Sequence, residues 1–359
     1  MSLTELRYLE DTFRGYASDC VESVVDFSQV EYRCSDTSME LVIKDGSFSR
    51  PVMNFRINPA DNKDPLAVHA HKQLCKILKV PYAFFAQNRP KMRETVVKNW
   101  IAGLIPEESS SIHTLRVRSC RDVDIIRAIM PAKAVDYPNY RVVGSLIKYG
   151  ESQKMTLSSI IGDEVDSPST ELAVRLGDVI EWAGAAYRLA LIATFSDIST
   201  ANIKVDAALM SEDGRHTFLL GFDHRSLLDL SYQAMTPTDM DKVLSGLPGQ
   251  LLDLKPILED KLLQAQSREY FGVETSLEIV CSQISTASVI KKMRREFIRD
   301  DADEEYPDAV AFARGVASLA KSYDGTTRTL LERLAGSFLM LDLPAPDINK
   351  KGEPIEVKM

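Results

Sequence analysis

The chain has 359 residues, of which 45% are hydrophobic and 26% are charged, and this composition is typical of a globular protein with a sizeable core. Its formal net charge of −9 argues against a protein that coats duplex DNA with bulk positive charge, but it is compatible with a local basic channel. The five cysteines include no CxxC pair, which argues against a disulfide framework or a zinc ribbon. The first residues, MSLTELRYLEDTF, contain no apolar segment, and no run of about 18 apolar residues follows. We therefore expect no secretory signal, no membrane span and a reducing cytoplasm.

Hydrophobic periodicity predicts strands and helices that are segregated along the chain. The first part has predicted helices over 3–16, 65–79 and 90–104 and predicted strands over 22–33, 38–44, 52–57, 171–176, 185–195, 203–210 and 216–221. After about residue 224 only helical patterns are found, over 237–267, 274–300, 307–322 and 326–341. This order predicts an α+β fold, with an antiparallel or mixed sheet and packed helices followed by a helical C-terminal region.

The same pattern predicts three regions. An α+β domain over 1–223 has a candidate subdomain boundary near 106–111, a helical region covers 224–341, and the Pro-rich residues 342–359 form a flexible tail.

The stretch from Ser111 to Gly150 combines a strand pattern with tyrosines and local positive charge. It contains seven Lys and Arg residues and three Asp residues, so its net charge is +4. Alternation in its first strand predicts Leu115 on the core side and Arg116 on the solvent side. Arginines on a wet sheet face beside tyrosines can bind a phosphodiester backbone and stack bases. The alternative is that Arg116 and Arg118 pair with acids on neighbouring strands.

The candidate nucleic-acid contacts come from this stretch, from the lysines of the 65–79 helix and from a basic segment over 291–299. They are Lys72, Lys76, Arg116, Arg118, Arg121, Tyr137, Tyr140, Arg141, Lys148, Lys291, Lys292, Arg294 and Arg295, with Tyr137 and Tyr140 stacking bases. The basic segment precedes an acidic run over 300–305, and simple neutralisation by that run is the alternative role.

No motif for catalysis or cofactor binding occurs in the sequence. It lacks a P-loop, a GxGxxG dinucleotide fingerprint and a GxSxG nucleophile elbow. His69 and His71 are two residues apart, so they fall on different faces of a helix, and we expect two surface histidines rather than a metal site. We therefore predict no catalytic residues, no metal and no cofactor.

Two segments carry a resemblance to a known family. The first, QLCKILKVPYAFF followed by PKMRETVVKNW, contains Gln73, Leu74, Cys75, Leu78, Val80, Pro81, Phe84, Asn99 and Trp100 at matching positions. The second is RDVDIIRAIMPAKAVDYPNYRVV. Together they resemble the DUF932 group, a phage and plasmid family described as a domain of unknown function, although the family's Ser-Asp pair is missing here. The resemblance covers about 65–149 and implies a phage origin more strongly than an activity.

By analogy with phage proteins of this size, we expect a non-enzymatic single-stranded DNA-binding protein that acts in replication, recombination or transcription, the last as in cofactors of N4-like phages. We also expect a homo-oligomer, with a phage or host polymerase among its partners, located in the host cytoplasm. One alternative is an interaction or inhibitor protein that uses the acidic run over 300–305 to target a host or phage enzyme. Another is a hydrolase built on scattered acids and His224.

Overall fold

The computed structural model describes residues 3–344, with gaps at 35–38, 44–64, 106–107, 109–110, 120–123, 133–136, 149–153, 164–166, 168, 197, 199–201, 223–225, 231–235 and 300–301. The predicted strand over 52–57, His224 and most of the predicted tail lie outside the described residues.

Within the described residues, the chain up to residue 131 contains two small sheets and four helices, of which the first packs into the core of the C-terminal part. These elements are α1 (Leu3–Ser18), β1 (Cys20–Asp26), β2 (Val30–Cys34), β3 (Met39–Ile43), α2 (Pro65–Ile77), α3 (Tyr82–Gln87), α4 (Pro90–Ala102), β4 (Ile112–Ser119) and β5 (Asp124–Pro131). Strands β1, β4 and β5 form a three-stranded antiparallel sheet in the order β1-β4-β5, and β2 pairs with β3. The predicted strand over 22–33 is therefore two strands. A 3-10 turn separates them, in which the Asp26 carboxylate accepts a 2.9 Å hydrogen bond from the Ser28 N–H.

Helices α2, α3 and α4 and the small sheets enclose the smaller of two main cores. Apolar side chains from one face of the three-stranded sheet pack against apolar side chains of the helices. This smaller core includes Val25, Phe27, Leu74, Cys75, Phe85, Val97, Leu115, Val117, Ile126 and Ile129. The burial of Cys75 is as expected for a cysteine that acts as a small apolar side chain, and it raises the pKa of the thiol to about 12.

The other face of the three-stranded sheet is covered over β4 and β5, which the sequence did not predict. Ala128 and Met130 pack there against Ile198, which comes from a loop of the C-terminal part. The prediction that Thr114 and Arg116 face solvent is wrong, because these side chains are only 6% and 4% exposed. Where a sheet is covered on both faces, the side chains that point to either face are buried, whatever their polarity.

The C-terminal part is built on a larger antiparallel sheet. Its strands are β6 (Thr156–Ile161), β7 (Thr170–Trp182), β8 (Ala185–Phe195), β9 (Ile203–Ser211), β10 (Thr217–Leu219) and β12 (Leu228–Leu230). The order is β10-β9-β8-β7-β6, and β12 pairs with β9 beyond the end of β10. Short β11 (Gly221–Phe222) pairs in parallel with β13 (Asp342–Leu343).

Helices α5 to α12 complete this part, together with α1. They are α5 (Asn139–Ile147), α6 (Pro237–Asp253), α7 (Lys255–Gln266), α8 (Val273–Cys281), α9 (Ala287–Phe297), α10 (Ala302–Glu305), α11 (Ala309–Ala320) and α12 (Gly325–Phe338). Their apolar faces share the larger core with the sheet, as Leu209 and Phe218 do with Val316 and Leu331. The predicted α+β fold is confirmed. The domain boundary at 223 stays a prediction, and side chains from both sides of it meet in this core.

None of the helices in the described part of the chain is long and apolar enough to cross a membrane.

Candidate nucleic-acid interface

Arg116 is a structural ion-pair residue in this fold. It lies opposite Glu22 in the β1–β4 register, and its Nε donates a 2.6 Å hydrogen bond to Glu22 Oε1. The guanidinium is therefore committed to a carboxylate inside the protein, as the alternative reading of the sequence predicted. The side chain of Arg118 and the whole of Arg121 lie outside the described residues.

Tyr137 is likewise removed from solvent, so the prediction that it stacks bases is wrong. Its side chain is 1% exposed, and its hydroxyl donates a 2.6 Å hydrogen bond to Asp241 Oδ1 on α6. Ser145 donates to the same oxygen at 2.9 Å, and Arg141 forms an ion pair with Asp241 Oδ2. Burial opposes ionisation of Asp241, but the hydrogen bonds from Arg141, Tyr137 and Ser145 outweigh it and hold the pKa of Asp241 below its ordinary value. This network joins α5 to α6.

The remaining residues of the central stretch are scattered. Tyr140 is half-buried, and the guanidinium of Arg14 lies 4.6 Å from its ring centre. Lys148 is exposed just after α5. Among the described side chains of 111–150, Arg116 and Tyr140 line a common cleft with Arg14, but the predicted residues do not form one basic surface.

A more basic surface lies on α2, α3 and the start of α4. Residues 69–104 contain seven Lys and Arg residues and one acid, Glu94, so their net charge is +6. Glu94 is engaged, because its Oε1 accepts a 2.7 Å hydrogen bond from the Cys34 N–H. We define the α2–α4 surface by six of the exposed side chains of this segment, Lys72, Lys76, Lys79, Phe84, Arg89 and Lys91.

Two features suit the α2–α4 surface to a polyanion with flat apolar groups. None of its five cations forms an ion pair with a described residue, so their charge is directed at solvent. Phe84 is 53% exposed, so its ring is available to a ligand. The ammonium of Lys72 lies 5.8 Å from the ring centre of Tyr82, so the start of α3 lies against α2.

Buried polar residues hold the three helices in place. His71 is 4% exposed, with the rings of Tyr82 and Phe85 at 5.3 and 5.1 Å between ring centres. The prediction of a surface histidine is therefore wrong for His71, whereas His69 is half-buried. Arg93 is 5% exposed and donates a 3.0 Å hydrogen bond to the Ala86 carbonyl. Burial, assisted by the positive charge of Arg93, lowers the pKa of His71 to about 4.

This depressed pKa predicts a loss of stability in mild acid. The folded state keeps His71 neutral down to about pH 4, whereas the unfolded chain binds a proton near the ordinary value of 6.5. The contribution of His71 is therefore complete above pH 6.5 and is lost as the pH falls towards 4, by about 3 kcal/mol in total. Urea unfolding of the native protein and of His71→Phe at several pH values measures the difference. Equal pH dependence in the two proteins would show that His71 is not responsible.

The basic residues on α9 divide into two groups. Lys291, Arg294 and Arg295 are exposed and form no ion pair within the described ranges. Lys292 is half-buried, donates a 2.6 Å hydrogen bond to Ser322 and lies 4.6 Å from the ring centre of Tyr323. Neutralisation by the acidic run is seen for Arg299, whose guanidinium lies 2.5 Å from Glu305.

Comparison with models of known protein families, with curated proteins and with solved structures found no match. The resemblance to the phage and plasmid family therefore stays a prediction. Among the residues that the structure describes, no group of three or more His, Cys, Asp or Glu side chains could hold a metal ion.

Proposed function

We propose that this protein is a non-enzymatic single-stranded DNA-binding protein that contacts the nucleic acid through the α2–α4 surface. The observation that carries the proposal is that the segment 69–104 combines five exposed cations, which form no ion pair with a described residue, with the exposed ring of Phe84. Proteins that bind single strands without sequence preference use the same pairing, in which cations follow the phosphates and aromatic rings stack on bases.

Stacking on Phe84 favours a single strand over a duplex. A base can offer its flat face to a protein ring only where it is not stacked within a duplex, and such stacking contributes about 1–3 kcal/mol per base. The net charge of −9 over the whole chain disfavours general coating of duplex DNA.

The biological setting is part of the same proposal. The resemblance in 65–149 supports a phage origin and hence the host cytoplasm, with a role in replication, recombination or transcription. A homo-oligomer and a phage or host polymerase as partner fit such a role.

Fluorescence anisotropy with a labelled oligonucleotide tests the α2–α4 surface. We expect Phe84→Ala to weaken single-strand binding by about tenfold, because one stacked base is lost. The combined Lys72→Gln, Lys76→Gln and Lys79→Gln variant should weaken it at least as much, because the lysines neutralise phosphates.

Two variants serve as matched controls. Phe271 is 65% exposed outside this surface, and Lys154 is paired with Asp178 at 2.5 Å, so Phe271→Ala and Lys154→Gln should leave the affinity within about twofold of the native value. If Phe84→Ala and the triple lysine variant bind as tightly as these controls, the α2–α4 surface is not the binding site.

A further inference from the structure

Helices α8 and α9 form a compact pair joined by five residues. The connection over 282–286 begins as a tight turn, in which the N–H groups of Gln283 and Ile284 donate to the carbonyls of Val280 and Cys281 at 3.2 and 3.1 Å. Ile284, at the centre of the turn, is only 5% exposed, and its side chain packs into the larger core. A helix-turn-helix element also consists of two helices joined by a short turn, of about 3–4 residues, so this pair is built on a similar plan with a slightly longer turn.

The inner side of this pair is anchored in the larger core. On α9 the buried residues are Val289, Met293 and Phe297, which recur every four residues and so lie on one face. Val280 and Cys281 of α8 belong to the same core. The buried face of α9 therefore holds the helix against the larger core, and the opposite face is exposed to solvent.

The outer side of α9 carries small side chains followed by cations. The turn and the first residues of α9 expose Ser285, Thr286, Ala287 and Ser288. At about 100° per residue, Lys291, Arg294 and Arg295 fall on the same face as Ala287 and Ser288. The acid of this helix, Glu296, falls to one side, where it lines a cleft with Lys292 and Arg314.

We propose that α8, the turn and α9 form a helix-turn-helix element that places α9 in the major groove of duplex DNA. A helix with its side chains is about 10–12 Å across and fits the major groove, which is about 12 Å wide. Small residues in the first turn allow the helix to approach the base edges, and Ser288 can hydrogen-bond to them. Lys291, Arg294 and Arg295 then reach phosphates or guanine edges.

This inference goes beyond the proposed function, because it assigns a second surface and a different ligand. The α2–α4 surface presents an aromatic ring for unstacked bases, whereas the outer face of α9 presents only small polar residues and cations. A helix without an exposed ring has no platform for a single strand, but it has the shape and charge that a groove between two phosphate backbones requires.

The decisive variants change the outer face of α9 without touching its core face. Lys291→Gln with Arg295→Gln removes two cations, and Ala287→Glu places a carboxylate against the DNA. A glutamate in the first turn of a helix is favourable to the helix itself, so Ala287→Glu should retain the native melting temperature. The control is Arg215→Gln, because Arg215 is exposed on a turn and lies 3.4 Å from Asp213.

Anisotropy with a random-sequence duplex and with one of its strands, each at several salt concentrations, gives the readout. We expect both α9 variants to weaken duplex binding by about tenfold or more and to leave single-strand binding within about twofold. The double variant should reduce the slope of log affinity against log salt by about 2 for the duplex. Arg215→Gln should change neither affinity.

Three outcomes would overturn the inference. They are an absence of duplex binding by the native protein, unchanged duplex binding in both α9 variants, and an equal loss for duplex and single strand. An equal loss for duplex and single strand would make α9 a general contact for phosphates. If α9 binds an acidic protein instead of DNA, the native protein should show no duplex binding. The combined Lys72→Gln, Lys76→Gln and Lys79→Gln variant separates the two proposals, because it should weaken binding of the single strand and leave binding of the duplex unchanged.

Discussion

Replacing Arg116 by Met is expected to lower the free energy of unfolding by about 3 kcal/mol. Arg116 is 4% exposed and forms an ion pair with Glu22 across β1 and β4. Methionine fills part of the same space, but it leaves the Glu22 carboxylate, which is only 25% exposed, without this cation. A carboxylate in a partly buried position loses stabilisation when its charged partner is removed. Urea unfolding followed by circular dichroism measures the loss.

The double variant Arg116→Met with Glu22→Gln is the matched control for this prediction. It removes the charge of the Glu22 carboxylate as well as that of Arg116, so a large part of the lost stability should return. Both proteins should bind single-stranded DNA with native affinity below their unfolding transitions. Native stability in Arg116→Met together with weakened DNA binding would show that this arginine contacts the nucleic acid after all.

Gly336→Ala is expected to be at least as damaging, with a loss of about 3 kcal/mol or more. Gly336 lies on α12 where this helix crosses β10, and a Cβ at this position would lie 2.1 Å from the carbonyl oxygen of Leu219. The obstructing atom belongs to the backbone of a strand, so it cannot rotate away as a flexible side chain could. The helix would have to move off the sheet and open the larger core, and thermal unfolding would report the change.

Gly15→Ala provides the comparison for a helical glycine without such an obstacle. Gly15 is exposed on α1, and no atom lies within 4 Å of the Cβ that would be added. Alanine is favoured over glycine in a helix by up to about 1 kcal/mol, so this variant should be stabilised. If Gly336→Ala were stabilised to the same extent, the close packing of α12 on β10 would be contradicted.

Most of the secondary structure could be predicted because its signals are local. Alternating apolar residues identified β7, β8 and β9, and Pro65 marked the start of α2. Prolines were less reliable within the helical part. Pro248 does not end a helix, since α6 continues through it, whereas Pro256 does stand in the first turn of α7. The short α3 was missed because six residues are too few for a periodic pattern.

The candidate site was harder to predict, because exposure depends on residues far away in the sequence. The buried Tyr137 is hydrogen-bonded to Asp241, 104 positions further along the chain. Arg116 is paired with Glu22, 94 positions earlier. No local pattern contains such information. In contrast, the spacing of Lys72 and Lys76 correctly predicted two exposed lysines on one side of α2.

A signal for the α2–α4 surface was nevertheless present in the sequence. The net charge of +6 over 69–104 exceeds the +4 of the central stretch. Nucleic-acid contacts were predicted mainly in the central stretch because it combines positive charge with a strand pattern and tyrosines. Charge counted over the helical segment would have pointed to the α2–α4 surface.

The salt dependence of single-strand binding tests the central claim most directly. The native protein is titrated onto a labelled oligonucleotide of about 30 nucleotides at a series of salt concentrations, and log affinity is plotted against log salt. Neutralisation of about three to five phosphates by the α2–α4 surface predicts a slope of about −2 to −3.5, at about −0.7 for each phosphate of a single strand. A slope near zero, or no binding at low salt, would contradict the account and remove single-stranded DNA as the ligand.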